Sequence, residues 1–295
     1  MPESHPNWCG VIGRARRTDV KAFTDKADLI IAVGYDPIEI NYEEWAGNVP
    51  IIHVSTEAAE PGAALKLLWN KACDLDRAID AMSELPAIAN DWAAPEWREH
   101  RETFERALRP SRPGFAAQEV LDILRGKLPP EGILSYDVGA HTHQIASQWR
   151  TDYPRTLLAT NGWSSMGYGM PAAYAAKLVL PDRAIVGVVG DGGFLMTVGE
   201  LALARRVNLA VPIIVLNDGW LGLMKVKQER RNVPLSGVRL GEPSDSPPHY
   251  FGVPCRSAKT AKDFSAALDW AFTLNGPSVI EAFIDAESYS ATVFD

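Results

Sequence analysis

The sequence is poor in cysteine. Its 295 residues contain Cys9, Cys73 and Cys255 alone as thiols. They are odd in number and widely spaced, and no CxxC pair occurs, which excludes a disulfide scaffold, a zinc ribbon or a thioredoxin-like redox site. Basic excess is lacking too. The formal net charge is −8 at pH 7, so neither nucleic acid nor an anionic membrane is an expected partner. No apolar run approaches the ~20 residues that cross a bilayer. The opening MPESHPNWCG has neither the basic start nor the apolar stretch of a secretory leader. These absences lead us to expect a cytoplasmic protein. What is present is globular: 46% of residues are hydrophobic and 22% charged, over a length that suits two ordinary domains or one large α/β domain.

Hydrophobic runs alternate with helical patterns along most of the chain. Residues 28–34 (DLIIAVG) and 49–54 (VPIIHV) read as buried strands, with helices expected at 18–27 and about 63–84. Residues 85–113 differ, carrying Pro86, Pro95, Pro110 and Pro113 around a charged helical stretch, PEWREHRETFERAL. A second α/β unit starts near residue 115. Its helices are expected at 115–127, 170–180, 196–206 and 264–273, and its strands at 132–137, 184–189, 211–216 and 278–284. The fold class is therefore α/β: a doubly wound parallel sheet over 115–295, preceded by a partial Rossmann-like domain over 1–85 and a linker with one exposed helix over 86–114.

The most informative stretch is AIVGVVGDGGFLMTVGELALARRVNLAVPIIVLNDGWLG. A hydrophobic strand runs into Gly190-Asp191-Gly192-Gly193, a helix follows, and a second strand ends at Asn217-Asp218. Parallel strands end on one edge of a sheet, so Asp191 and Asp218 can face one pocket and offer hard oxygen donors suited to Mg²⁺. Glycines allow close approach of a phosphate, and a helix opening after Phe194 would aim its N–H groups there. An ordinary turn is the simpler reading of a lone GDG. A dinucleotide fold is the sharper rival, but Gly187, Gly190 and Gly192 read GxxGxG, the reverse of the usual spacing. An aspartate in the loop would also repel a bare pyrophosphate unless a cation lay between them.

Strand–GDG–helix–strand–Asn-Asp resembles the thiamine-diphosphate fingerprint of the acetolactate synthase and pyruvate decarboxylase superfamily. Asp137-Val138-Gly139-Ala140-His141 is similar to the loop that caps the diphosphate in that family. The stretch Asn161–Pro171 (NGWSSMGYGMP) is similar to its small-residue loop with an embedded methionine. The resemblance implies Mg²⁺ bound by Asp191, Asp218 and the Trp220 carbonyl. It also implies cofactor contacts from Val138, Gly139, Ala140, His141, Ser164, Ser165, Gly190, Gly192, Gly193, Leu221, Gly222 and Leu223. Met166 would be the apolar wedge that bends the cofactor into a V. Asparagine is commoner in the family where Asp218 stands. His141 has a tentative catalytic role by this match, and Gln228 a weaker one near substrate. The polar segment from Lys225 to Tyr250 reads either as an exposed loop or as one that orders over the cofactor.

Residues 27–54 (ADLIIAVGYDPIEINYEEWAGNVPIIHV) resemble the end of the middle domain of flavin-free, catabolic acetolactate synthases. Lys227 stands near the place of an aromatic residue in the biosynthetic, flavin-dependent members, so FAD is not expected. The resemblance leaves out the domain that carries the glutamate activating the cofactor's pyrimidine. Glu119, Glu200 and Glu281 lie in segments matching the diphosphate-binding domain and cannot be assigned that role. The expectation is one subunit of a split enzyme, with a companion supplying the pyrimidine domain and the rest of the middle domain. A 2-oxo acid or aldehyde is the expected substrate, in carboligation or decarboxylation. A 2-hydroxyacyl lyase, and a non-catalytic module that keeps the fold, are the alternatives.

Overall fold

A computed structural model describes residues 2–36, 43–60, 65–86, 92–160, 162–241 and 245–293. It divides into two compact units, Pro6–Ala107 and Leu108–Phe294 with Met1–His5.

The first unit contains α1 (Arg17–Thr24), β1 (Ile30–Val33), a 3-10 turn at Glu43–Ala46, β2 (Ile51–Ser55), β3 (Leu67–Ala72), α2 (Leu75–Ser83) and α3 (Ala94–Ala107). Its three strands pair in parallel in the order β1-β2-β3. Ala32, Trp45, Ala46, Ile51 and Leu65 form its small core. Ile31, Val33 and Leu68 are exposed, although parallel sheets are normally covered on both faces. Residues Pro37–Tyr42, within the stretch resembling the middle domain, lie outside the described residues.

The helix expected at 63–84 is a correction. Residues 67–72 are a strand, and the helix starts only at Leu75. The apolar LLW run suited either element, and the edge of β2 decides it. Asn70 anchors the strand, its amide oxygen 2.9 Å from the His53 ring and its Nδ2 donating to the Ala59 carbonyl at 2.8 Å. Asp74 then caps α2 by accepting from the Arg77 N–H at 3.0 Å. The charged stretch at 94–107 forms α3. One edge of it is packed: Phe104 is buried, and Trp97 and His100 lie 4.8 and 4.2 Å from the ring of Phe23 in α1.

The second unit carries α4 (Ala117–Lys127), β4 (Ile133–Tyr136), α5 (Ala140–Gln148), β5 (Leu157–Leu158), α6 (Gly169–Val179), β6 (Ile185–Gly190), α7 (Asp191–Thr197) and α8 (Glu200–Arg206). There follow β7 (Pro212–Asn217), α9 (Gly222–Arg230), β8 (His249–Tyr250), β9 (Val253–Ala258), α10 (Ala261–Phe272) and β10 (Ser278–Phe283). The seven-stranded sheet has the order β5-β4-β6-β7-β10-β9-β8, parallel except for the last pair. Alternation along its strands supplies two cores, one on each face. Leu134, Val186, Val188, Ile214 and Ile280 face α4 and α10. Ile185, Val189, Ile213, Val215 and Val279 face α6 and α8.

Several expected elements shift. One helix at 196–206 is in fact α7 and α8, and α7 opens at Asp191 rather than after Phe194. The glycine-rich start hides this helix from propensity, but its first turn follows directly from β6. The loop expected from Lys225 begins inside α9. Later it doubles back, with the Leu221 N–H donating to the Val238 carbonyl at 2.7 Å and the Leu240 N–H to that of Gly219 at 2.8 Å. Strand β9 and helix α5 were not expected. Among the described residues no helix is long and apolar enough to cross a membrane.

Chain order places the carboxyl ends of β4, β6 and β7 side by side. From β4 the chain moves outward to β5 and then crosses to β6 on the other side, so a crevice opens between β4 and β6 at a topological switch point. Ile214, fully buried in β7, reports on this sheet: Ile214→Ala is expected to lower unfolding free energy by about 2–5 kcal/mol, measured by denaturant titration.

Candidate cofactor site

The crevice holds a cavity of about 170 Å³. The end of β4 and the start of α5 contribute Val138, Gly139, Ala140 and His141. The β6–α7 junction contributes Gly190 through Gly193, and the β7–α9 turn contributes Asp218, Trp220, Leu221, Gly222 and Leu223. Met166 enters from the loop before α6. All these residues were expected from the sequence. Ser164 and Ser165 are exposed and do not line the cavity, and the Ser164 hydroxyl donates to the Thr160 carbonyl at 3.1 Å. Gln228 also lies outside the lining, its amide joined to the backbone of Ser236 at 3.0 and 3.2 Å. Asn161 is outside the described residues.

Asp191 and Asp218 meet because β6 and β7 are adjacent and parallel, with Gly190 opposite Leu216. Asp191 accepts from the N–H groups of Gly192 at 2.8 Å and Gly219 at 2.9 Å, and Asp218 from that of Trp220 at 2.9 Å. Burial raises both acids, Asp191 to about 6 and Asp218 to about 7, and repulsion from Asp191 adds to the rise at Asp218. Such a pair resists ionising unless a cation lies between its members, and hard carboxylate oxygens suit a divalent ion. Among the described residues no cluster of three His, Cys, Asp or Glu side chains could hold a metal. The expected set uses two carboxylates and a main-chain carbonyl, so the donor chemistry fits Mg²⁺.

Glycines let the walls of the cavity approach one another closely. A Cβ at Gly192 would stand 2.9 Å from both the Met166 Cε and a methyl of Leu221, so only glycine lets these two side chains pack against the first turn of α7. His141 is buried, with its Nε2 2.8 Å from Asp137 Oδ1. Glu119 accepts from the Ala116 N–H, and Glu281 is buried against the Asn217 amide (2.7 Å) and the Tyr250 hydroxyl (3.2 Å). Neither Glu119, Glu200 nor Glu281 lines the cavity.

The sequence reading missed Tyr289. It is fully buried, lines the cavity, and is kept a neutral phenol by burial and by the nearby Asp218 and Asp191. The chain after β10 carries it there, held by Arg112 on the Glu287 carbonyl (2.7 Å), Gln118 on the Ser288 carbonyl (2.8 Å) and Lys225 on the Glu287 carboxylate (2.5 Å). Nothing in the local pattern ESYS marks it, because its role depends on a return across α4 and α9.

The thiamine pyrophosphate enzyme C-terminal TPP-binding domain matches residues 137–282, and the central domain of the same enzymes matches residues 1–82. The chain belongs to the thiamine pyrophosphate enzymes. Its relatives include the acetolactate synthase large subunit of Lactococcus lactis, 29% identical over 78% of this chain and 41% of that protein. Acetolactate synthase 1, chloroplastic, of Zea mays is 27% identical over 98% of the chain and 48% of its own length. The acetolactate synthase isozyme 1 large subunit of Escherichia coli is 27% identical over 97% and 52%. The chain thus spans about half the length of the curated relatives it matches. Within this acetolactate synthase-like family, the matched C-terminal domain contains nearly the whole cavity lining.

The raised values of the two acids make the stability of the folded chain pH-dependent. The unfolded chain releases their protons near the ordinary value of 3.8, whereas the folded chain keeps them to about 6 and 7. Proton uptake is therefore greater in the folded state between these values, and metal-free stability falls as pH rises through them. A divalent cation held between the two carboxylates would oppose that loss. The gain in thermal midpoint on adding Mg²⁺ is expected to be larger at about pH 8 than at about pH 5.5, and an equal gain at both would show that these carboxylates do not bind it.

Proposed function

We propose that this chain binds the diphosphate end of thiamine diphosphate through Mg²⁺ and forms part of an enzyme making or breaking carbon–carbon bonds next to a carbonyl. The observation that carries the reading is the buried pair Asp191 and Asp218 at the head of a cavity that also holds His141 and Met166. Asp191, Asp218 and the Trp220 carbonyl would hold the metal. The backbone of Gly139 and Gly190–Gly193 and the His141 ring would face the diphosphate. Met166 would press on the cofactor from the apolar side and set the angle between its rings. When bound, the cofactor supplies an electron sink for a carbonyl substrate, here a 2-oxo acid. The wall of Leu221, Leu223 and Met224 would keep water from the reacting carbon. Acetolactate-synthase-like carboligation is favoured by the named relatives, with decarboxylation or 2-hydroxyacyl lysis as outcomes of the same site.

The reading also requires a carboxylate for the pyrimidine ring. Among the described residues the acids lining the cavity are Asp191 and Asp218, both assigned to the metal. We assign the activating group to a companion chain outside these residues. Exposed Leu195 and Met196 on α7, and Leu178 and Val179 on α6, support such a contact.

Calorimetry with thiamine diphosphate, with and without Mg²⁺, tests the binding claim. Mg²⁺-dependent binding is expected, weakened by roughly a hundredfold in Asp191→Ala; equal binding by that variant would remove the metal assignment. The chain alone is expected to turn over 2-oxo acids negligibly, and robust turnover without a companion would contradict the divided site.

A further inference from the structure

Asp137 directly follows β4, with a side chain fully withdrawn from solvent. One oxygen, Oδ1, lies 2.8 Å from His141 Nε2, and the other, Oδ2, accepts the N–H of Gly167 at 2.7 Å. A third element touches it. A Cβ on Gly193 would stand 2.0 Å from Oδ2, so the first turn of α7 lies flush against this carboxylate and admits no side chain there. One acid therefore joins the three loops that make the cavity: the β4–α5 turn, the methionine loop and the β6–α7 junction.

Each contact acts on a group that faces the cavity. Gly167 immediately follows Met166, so its tether to Oδ2 fixes the backbone from which that methionine side chain projects toward Gly192. His141 is buried and cannot turn freely. With Nε2 turned to the acid, the Nδ1–Cε1 edge faces the other way, and a Cβ on Gly190 would meet Cε1 at 3.2 Å and Nδ1 at 3.4 Å. An ionised carboxylate only accepts hydrogen bonds, so it requires the proton on Nε2 and presents Nδ1 to the Gly190 side.

We propose that Asp137 is a positioning residue that sets the tautomer and ring orientation of His141 and the placement of Met166 through a single buried carboxylate. This rests on the reading of the cavity as a diphosphate site. An acid that merely completed the hydrogen bonding of the β4 end would matter for stability, but its effect on anion binding would not depend on His141.

The test uses the full chain and two probes, Mg²⁺ with inorganic pyrophosphate and Mg²⁺ with thiamine diphosphate. Asp137→Asn keeps the size but offers an N–H₂ where one acceptor stood. It is expected to bind pyrophosphate about tenfold more weakly. In an H141A background the same substitution is expected to change pyrophosphate affinity by less than about twofold, since the group it orients is gone. Undiminished binding by a folded D137N chain, or losses that add in full, would overturn the proposal. A second measurement needs no variant: the ¹⁵N spectrum of His141 in the unaltered chain is expected to show Nε2 protonated, and a neutral ring protonated on Nδ1 would overturn it. If the unaltered chain bound neither probe, the diphosphate reading would fail, and the histidine spectrum would still decide the role of Asp137.

Discussion

Asp191 and Asp218 stand on the ends of adjacent parallel strands, buried, with like charge and little water to separate them. Neither the strand pairing nor the cores on the two faces of the sheet can relieve this repulsion. It persists because the fold delivers both side chains to the same end of the crevice, and a divalent cation relieves it most directly. The surroundings follow from that constraint. Gly192 and Gly193 bring the first turn of α7 close without side chains of their own, the β7–α9 turn lays Trp220 and Leu221 alongside, and Tyr289 closes the base as a neutral phenol. A phosphate-bearing ligand bridged by a metal suits this arrangement better than a bare anion, which both carboxylates would repel.

Buried acids extend beyond Asp191 and Asp218. Glu281 in β10 accepts from the Asn217 side-chain Nδ2, and Asn217 Oδ1 accepts from the Gly219 N–H at 3.1 Å, a donor shared with Asp191. Asp137 links the opposite wall. Asp137 and Glu281 thus stand behind the lining that Asp191 and Asp218 form, and the strands themselves are held by alternating apolar residues that need no polar partner. That division of labour lets a few buried carboxylates stand in a largely apolar crevice without weakening the sheet.

Much of this was legible from the chain alone. The runs AIVGVV and VPIIVL read as buried parallel strands, and with such strands as neighbours Asp191 and Asp218 can face one pocket. Most of the lining residues expected from the loops resembling thiamine-diphosphate enzymes do line the cavity, and the family match supports the class of fold. The failures have physical causes. LLWNKA suits a helix or a strand until β2 offers it an edge. VPCRSA, in β9, carries Arg256 and a proline and lacks a clear hydrophobic period. The start of α7 is masked by glycine, and AHTHQIASQ in α5 by polar residues that happen to be buried. Tyr289 and the reach of Asp137 to Gly167 depend on contacts between distant segments, which no local pattern encodes. Ser164 and Ser165 belonged to a similar loop, yet the backbone turns them to solvent and admits only Met166.

The central claim is that the two buried acids exist to share a metal with a diphosphate. Anomalous diffraction from crystals grown with Mn²⁺ and thiamine diphosphate tests it most directly. The account expects one strong peak between the carboxylates of Asp191 and Asp218, with the diphosphate on its open side. A cofactor bound in the cavity with no metal at that pair, or Mn²⁺ bound elsewhere in the chain, would contradict it.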